Sequence, residues 1–121
     1  MTVFNLPANH LGQLGGAYQA AKANYAGATA LEIIYGNGCI QGVNGDSAVA
    51  AAVAVTCGNV PAVGLLIVNF RATGAGTVTY TLGAGFLVNG TVAPTTGKQI
   101  AVAFVSNGTN FVELCRTSAA V

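Results

Sequence analysis

One histidine, three carboxylates and three thiols are the side chains of this 121-residue sequence best suited to acid–base, nucleophilic or metal chemistry, and each stands alone. Catalysis by a nucleophile, a histidine and an acid needs the imidazole to be oriented by a carboxylate. His10 lies in a lead-in of Pro7, Asn9 and Gly12, and nothing in the sequence points to such a partner. Glycosidase chemistry needs two carboxylates facing each other across a cleft. Glu32, Asp46 and Glu113 are far apart in the chain. If Glu32 and Glu113 do not meet in the fold, they are expected to be solvated or paired with Arg71 or Arg116.

Cys39, Cys57 and Cys115 lack the paired Cys-x-x-Cys or Cys/His spacing of a zinc site. Two readings stay open for them. They are buried reduced thiols, or one pair closes into a disulfide after exposure to an oxidising exterior while the third links to a neighbour. Gly97-Lys98 has the look of the end of a phosphate loop, but Val92 stands where that loop needs glycine, and Gln99 where it needs Ser or Thr. The G-x-G pairs at Gly36/Gly38, Gly74/Gly76 and Gly83/Gly85 lack the third glycine of a dinucleotide fingerprint. Asn89-Gly90-Thr91 and Asn107-Gly108-Thr109 match glycosylation sequons, although turn formation accounts for both. The expectation is a protein without catalytic residues, metal or cofactor.

The elements that would carry such residues are short. Leu11, Leu14, Tyr18, Ala21 and Tyr25 recur at steps of three and four, which predicts a helix over residues 11–25 with Asn9 as its cap. That stripe packs either on its own domain or at a subunit contact. Beyond Ala30 the chain turns into β-branched and aromatic runs broken by Gly and Asn. Residues 31–35 and 39–43 flank Gly36-Asn37-Gly38 and predict a tight hairpin. Asn-Gly pairs at Asn37, Asn44, Asn89 and Asn107 read as further turns. Strands are expected at 48–56, 63–71, 77–82, 86–89, 99–106 and 111–116, with 48–56 open between strand and helix. Val78, Tyr80 and Leu82 alternate with Thr77, Thr79 and Thr81, giving one buried face and one uncharged polar face. The resulting expectation is a mainly β chain, an antiparallel β-sandwich or small barrel with a short N-terminal arm and helix. Residues 1–30 form the arm and helix and residues 31–121 the antiparallel β domain.

Charged residues make up 6% of the chain, against roughly 25% in ordinary soluble domains. The seven charges are scattered, so neither nucleic acid nor a membrane surface finds a basic patch. The apolar stretch 48–70 is interrupted by Gly58, Asn59 and Pro61, which argues against a membrane span. No basic n-region with an apolar run opens the sequence, so synthesis in a cytoplasm is expected. A folded chain with so little charge tends to self-associate, and much of its surface is expected to be covered by neighbours.

From about residue 63 to 113 the sequence resembles a module of tailed-bacteriophage fibre and decoration proteins. The resemblance is carried by Gly64-Leu65-Leu66-Ile67-Val68-Asn69-Phe70, Gly76-Thr77-Val78-Thr79-Tyr80, Asn89-Gly90-Thr91-Val92-Ala93-Pro94-Thr95 and Phe104-Val105-Ser106-Asn107-Gly108-Thr109-Asn110-Phe111. Phe111 departs from the pattern, where such modules often carry Trp. The resemblance implies a β-sandwich-like homotrimer exposed on a virion, and the short chain looks more like a capsid decoration, or cement, protein than a whole fibre. Its partners would be sister copies and the major capsid protein or other virion proteins. Residues 2–14 would reach out as an arm, with Val3, Phe4, Leu6, Leu11, Leu14, Tyr18 and Tyr25 as interface candidates. The alternative is a fibre-tip module binding a host receptor or glycan through Tyr80, Phe86 and Phe111.

Overall fold

The structure, a computed structural model, describes the backbone of residues 18–22, and residues 29–117 and 121 in full. Nine strands run through the described residues: β1 (Tyr18–Lys22), β2 (Ala30–Glu32), β3 (Ile40–Asp46), β4 (Ala52–Thr56), β5 (Leu65–Thr73), β6 (Thr79–Leu82), β7 (Phe86–Leu87), β8 (Gln99–Ser106) and β9 (Phe111–Arg116). They form a six-stranded sheet, ordered β1-β3-β5-β8-β9-β7, and a three-stranded sheet, ordered β2-β4-β6.

From β1 to β6 the chain alternates between the two sheets, and every pairing within β1-β3-β5 and β2-β4-β6 is parallel. Tyr18 lies beside Ile40 and Ile40 beside Ile67, steps of 22 and 27 residues; Ala30 beside Ala54 and Ala52 beside Thr79 give steps of 24 and 27. This is the winding of a β-solenoid, one strand per sheet per coil. An antiparallel hairpin, β8–β9, then extends the large sheet, with β8 antiparallel to β5 and the short β7 parallel to β9 at the edge. The mainly β expectation holds. The sandwich or barrel built on antiparallel pairing gives way to parallel coils, and antiparallel ladders are confined to the C-terminal strands.

The physical reason lies at the corners. Residues 31–35 and 39–43 do not pair with each other. Tyr35–Asn37 form a single 3₁₀ turn that carries the chain from the small sheet to the large one. The buried side chain of Gln41 ties this corner by donating to the carbonyls of Ile34 (2.7 Å) and Gly38 (2.9 Å). Leu31, Ile33 and Val43 thereby reach one core from opposite sides, where a hairpin would have set them side by side.

Each sheet turns alternate side chains inward. Val43, Leu66, Val68, Phe70, Val102, Phe104 and Phe111 come from the large sheet, and Leu31, Val53, Val55, Tyr80 and Leu82 from the small one. Phe70 and Tyr80 meet across the core with ring centroids 4.9 Å apart, and the Tyr80 hydroxyl donates to the Arg71 carbonyl at 2.6 Å. Gly45 fits beneath that hydroxyl. A Cβ there would lie 2.5 Å from the Tyr80 oxygen and 2.8 Å from Val78 Cγ1. Asn44-Gly45 is therefore a close approach inside β3, not a turn, whereas Gly38, Gly90 and Gly108 do sit at turns with positive φ.

The helix expected over 11–25 is not supported: its described part, Tyr18–Lys22, is strand β1, and the remainder lies outside the described residues. Pairing with β3 overrides the three-and-four spacing there. It also carries the large sheet across residue 30. The open segment 48–56 resolves into a corner followed by strand Ala52–Thr56. Among the described residues no helix is long and apolar enough to cross a membrane.

Candidate assembly face

The residues with chemical potential are scattered by this fold. Asp46 opens the corner after β3, accepting from the Ala48 amide at 2.9 Å. Glu32 is exposed on β2, in the small sheet, whereas Glu113 lies in β9 of the large sheet. Glu113 pairs with Arg116 at 2.7 Å, as one of its sequence-based expectations held. No group of three or more His, Cys, Asp or Glu able to hold a metal occurs among the described residues. His10 lies outside them, as do Val3, Phe4, Leu6, Leu11, Leu14 and Tyr25; of the interface candidates only Tyr18 falls on a described backbone, in β1.

The three cysteines are free thiols: Cys39 half-buried beside β3, Cys57 buried after β4, Cys115 exposed on β9. Burial is the main reason the Cys57 thiol is pushed up from its ordinary value, with the charge of Glu32 adding to it. Cys39 adjoins Ile40 in a row that reaches Cys115 only across β5 and β8. That is roughly 14 Å at ~4.8 Å per strand, beyond disulfide reach.

Glu113 and Arg116 form a clamp. Arg116 donates to the carbonyls of Thr91 (2.8 Å) and Asn89 (3.1 Å), and Glu113 accepts from the Asn89 amide (3.1 Å). The Arg116 hydrogen bond is the main cause that holds the Glu113 carboxyl below its usual range, and the same contact raises the guanidinium. The clamp fixes the Asn89–Gly90 turn so that Val92 pairs with Tyr80 through two backbone bonds of 2.7 and 3.0 Å. This covers part of the β6 edge, a position otherwise open to strand addition. Nearby, Asn107 Oδ1 accepts from the amides of Thr109 (2.9 Å) and Asn110 (2.8 Å), shaping the β8–β9 turn. Both sequons are turns with structural work of their own.

What the fold does bring together is an apolar outer face on the large sheet. Register aligns Leu65 (β5), Val105 (β8), Val112 (β9) and Leu87 (β7) in one cross-strand row. The next row is Ile40 (β3), Ile67 (β5), Ala103 (β8) and Cys115 (β9). Leu114 protrudes beside them at the irregularity in the β8–β9 register, 59% exposed. Leu65 is 47% and Leu87 51% exposed, so the first row is solvent-facing surface, whereas Gly42 and the side-chain oxygens of Asn44 and Asn69 further along the same face are buried. Among the described side chains, the third row, Gly42, Asn69 and Ala101, is uncharged, and the fourth, Asn44, Arg71 and Gln99, carries the charge of Arg71. The outer face of the small sheet differs: Ala30, Ala54 and Thr81 form one row, Ala52 and Thr79 another, and Glu32 is its charge.

Sequence reasoning missed the apolar face, although a signal for it exists. Leu65-Leu66-Ile67-Val68 and Ile100 to Val105 are unbroken apolar runs, and a strand whose alternation fails is apolar on both sides. Tyr80, Phe86 and Phe111, offered as ligand contacts, are all buried in the core. No family model matches the chain, and neither the curated proteins nor the solved structures contain a match to it.

Proposed function

We propose that this chain is a structural virion protein of a tailed bacteriophage, a trimeric capsid decoration protein that stabilises the head. The observation that carries the reading is the large-sheet face, two apolar rows and an uncharged third on a chain that is 6% charged. Apolar exposure of this kind marks a surface made to be covered. The phage-module resemblance over residues 63–113 supports the assignment to a virion, and its last piece forms the β8–β9 hairpin. A cement acts by mass action: binding the assembled shell and not its separated subunits raises the stability of the shell.

The test is capsid melting with and without the purified protein. A rise in melting temperature that saturates with added protein is expected; no shift together with no particle binding would overturn the reading. The receptor-binding alternative has lost the exposed aromatics on which it stood, because all three side chains are core.

A further inference from the structure

We propose that Asn89 is a site of self-modification, at which the amide nitrogen of Gly90 closes on the Asn89 side chain to a succinimide that water opens to aspartate or isoaspartate. The reaction is independent of any role in a virion and follows from how the fold treats four identical dipeptides.

Asparagine is a labile residue, and glycine after it leaves the attacking nitrogen unshielded by a side chain. The chain has four such pairs. Three are protected by their surroundings. At Asn37-Gly38 the Gly38 amide donates to the Tyr35 carbonyl at 3.0 Å, within the 3₁₀ turn. Asn44-Gly45 lies in the ladder of β3, with Gly45 buried beneath the Tyr80 hydroxyl. At Asn107-Gly108 both reacting groups are engaged: the Gly108 amide donates to Ser106 Oγ at 3.0 Å, and Asn107 Oδ1 accepts from the amides of Thr109 and Asn110.

Asn89-Gly90 differs in two ways. The first is access. Asn89 is exposed, and neither its side chain nor the Gly90 amide makes a hydrogen bond among the described residues. A Cβ added at Gly90 would meet nothing within 4 Å, so ring closure has room. The second is activation. Arg116 Nη2 donates to the Asn89 carbonyl at 3.1 Å. That oxygen takes up negative charge when the Gly90 nitrogen loses its proton, and a cationic donor aimed at it stabilises the charge. The guanidinium therefore eases formation of the nucleophile.

Water is the co-reactant. Hydroxide takes the Gly90 amide proton, and the nitrogen bonds to Asn89 Cγ. The Cγ–Nδ2 bond breaks, and Nδ2 takes a proton from water and leaves as ammonia. Water then adds to one of the two imide carbonyls. Opening of the new bond to Cγ gives aspartate, and opening of the bond to the main-chain carbonyl gives isoaspartate. Either product replaces a neutral amide by a carboxylate and lowers the formal net charge of +1 by one. In isoaspartate the main chain runs through Cβ, and the former carbonyl becomes a free carboxylate at the position that Arg116 holds.

The full chain, folded or in guanidinium chloride, is incubated at mildly alkaline pH and mapped by peptide mass spectrometry with fragmentation that separates aspartate from isoaspartate. Folding is expected to slow conversion at Asn37, Asn44 and Asn107 and to speed it several-fold at Asn89, because only the folded chain sets Arg116 on its carbonyl. Arg116→Gln, its fold checked by circular dichroism, is expected to convert more slowly at Asn89 than the wild type. Conversion of folded Asn89 no faster than that of folded Asn107 overturns the site. Folded Asn89 no faster than in the denatured chain, or faster conversion in Arg116→Gln, overturns the activation and leaves the guanidinium a restraint on the turn. If Arg116→Gln does not fold, the wild-type comparison of folded and denatured chains decides both points.

Discussion

Apart from Arg71 on one and Glu32 on the other, the two outer faces of this molecule are drawn from uncharged residues, yet they are opposites. The large sheet shows Leu, Ile and Val; the small sheet shows Ala and Thr. Both are backed by one core, so the difference is not a matter of fold. It shows that low charge has two separate uses. Leu65, Val105 and Leu87 offer apolar area whose removal from water is favourable at roughly 25 cal/mol per Å². Thr79 and Thr81 offer hydroxyls that remain satisfied by water at no such gain.

Several substitutions would break or sharpen that contrast. Phe70→Ala has the largest expected effect, about 3–5 kcal/mol of lost stability by urea unfolding, because its ring packs on Tyr80 of the opposite sheet. A single transition is expected, both faces being lost together; two separated transitions would show that the sheets are independent. Gly45→Ala comes next, at about 1–3 kcal/mol, since the added carbon meets the Tyr80 hydroxyl and Val78. Its cost should shrink in a Tyr80→Phe background, although Tyr80→Phe alone loses the bond to the Arg71 carbonyl. Strict additivity in that double-mutant cycle would contradict the close approach.

Glu113→Gln is expected to destabilise by about 1–2 kcal/mol near neutral pH. Its sign follows from the depressed folded value: the carboxylate contributes above its unfolded pKa, and the contribution is lost as pH falls through the lower folded one. Wild-type stability should therefore drop in acid below the ordinary glutamate range, and the Gln variant should lack that part of the drop. An identical acid profile for the two proteins would remove the clamp from the account. Thr81→Val is the smallest, within about 0.5 kcal/mol, and leaves the mass in solution unchanged. A gain in self-association from that one change would mean that the faces differ less than their residues imply.

How far each part could be read in advance follows the distance between partners. β8 and β9 occupy the spans read from the sequence, 99–106 and 111–116, because Asn107-Gly108 sits between them and the signal is local. The Val78/Tyr80/Leu82 alternation is equally local, and it held. The coils are not local: Ile40 finds its neighbour at Ile67, and nothing near either residue announces it. Asn44-Gly45 looked like a turn because its glycine is required by Tyr80, a contact 35 positions away that only the packed sheets create. The apolar face was partly legible in the unbroken run at Leu65 to Val68, but its rows exist only once β5, β8, β9 and β7 are in register.

Coils whose steps range from 22 to 27 residues have one more property. The ladder sets where strands lie, and the corners take up whatever length is left over. Closing a longer loop is cheap, about 0.6 kcal/mol for each doubling. The corner between β4 and β5, where Val63 is 85% exposed, is thus a natural place to graft foreign peptide without disturbing either sheet, and a scaffold wound in this way can diversify its outline while its interior stays the same.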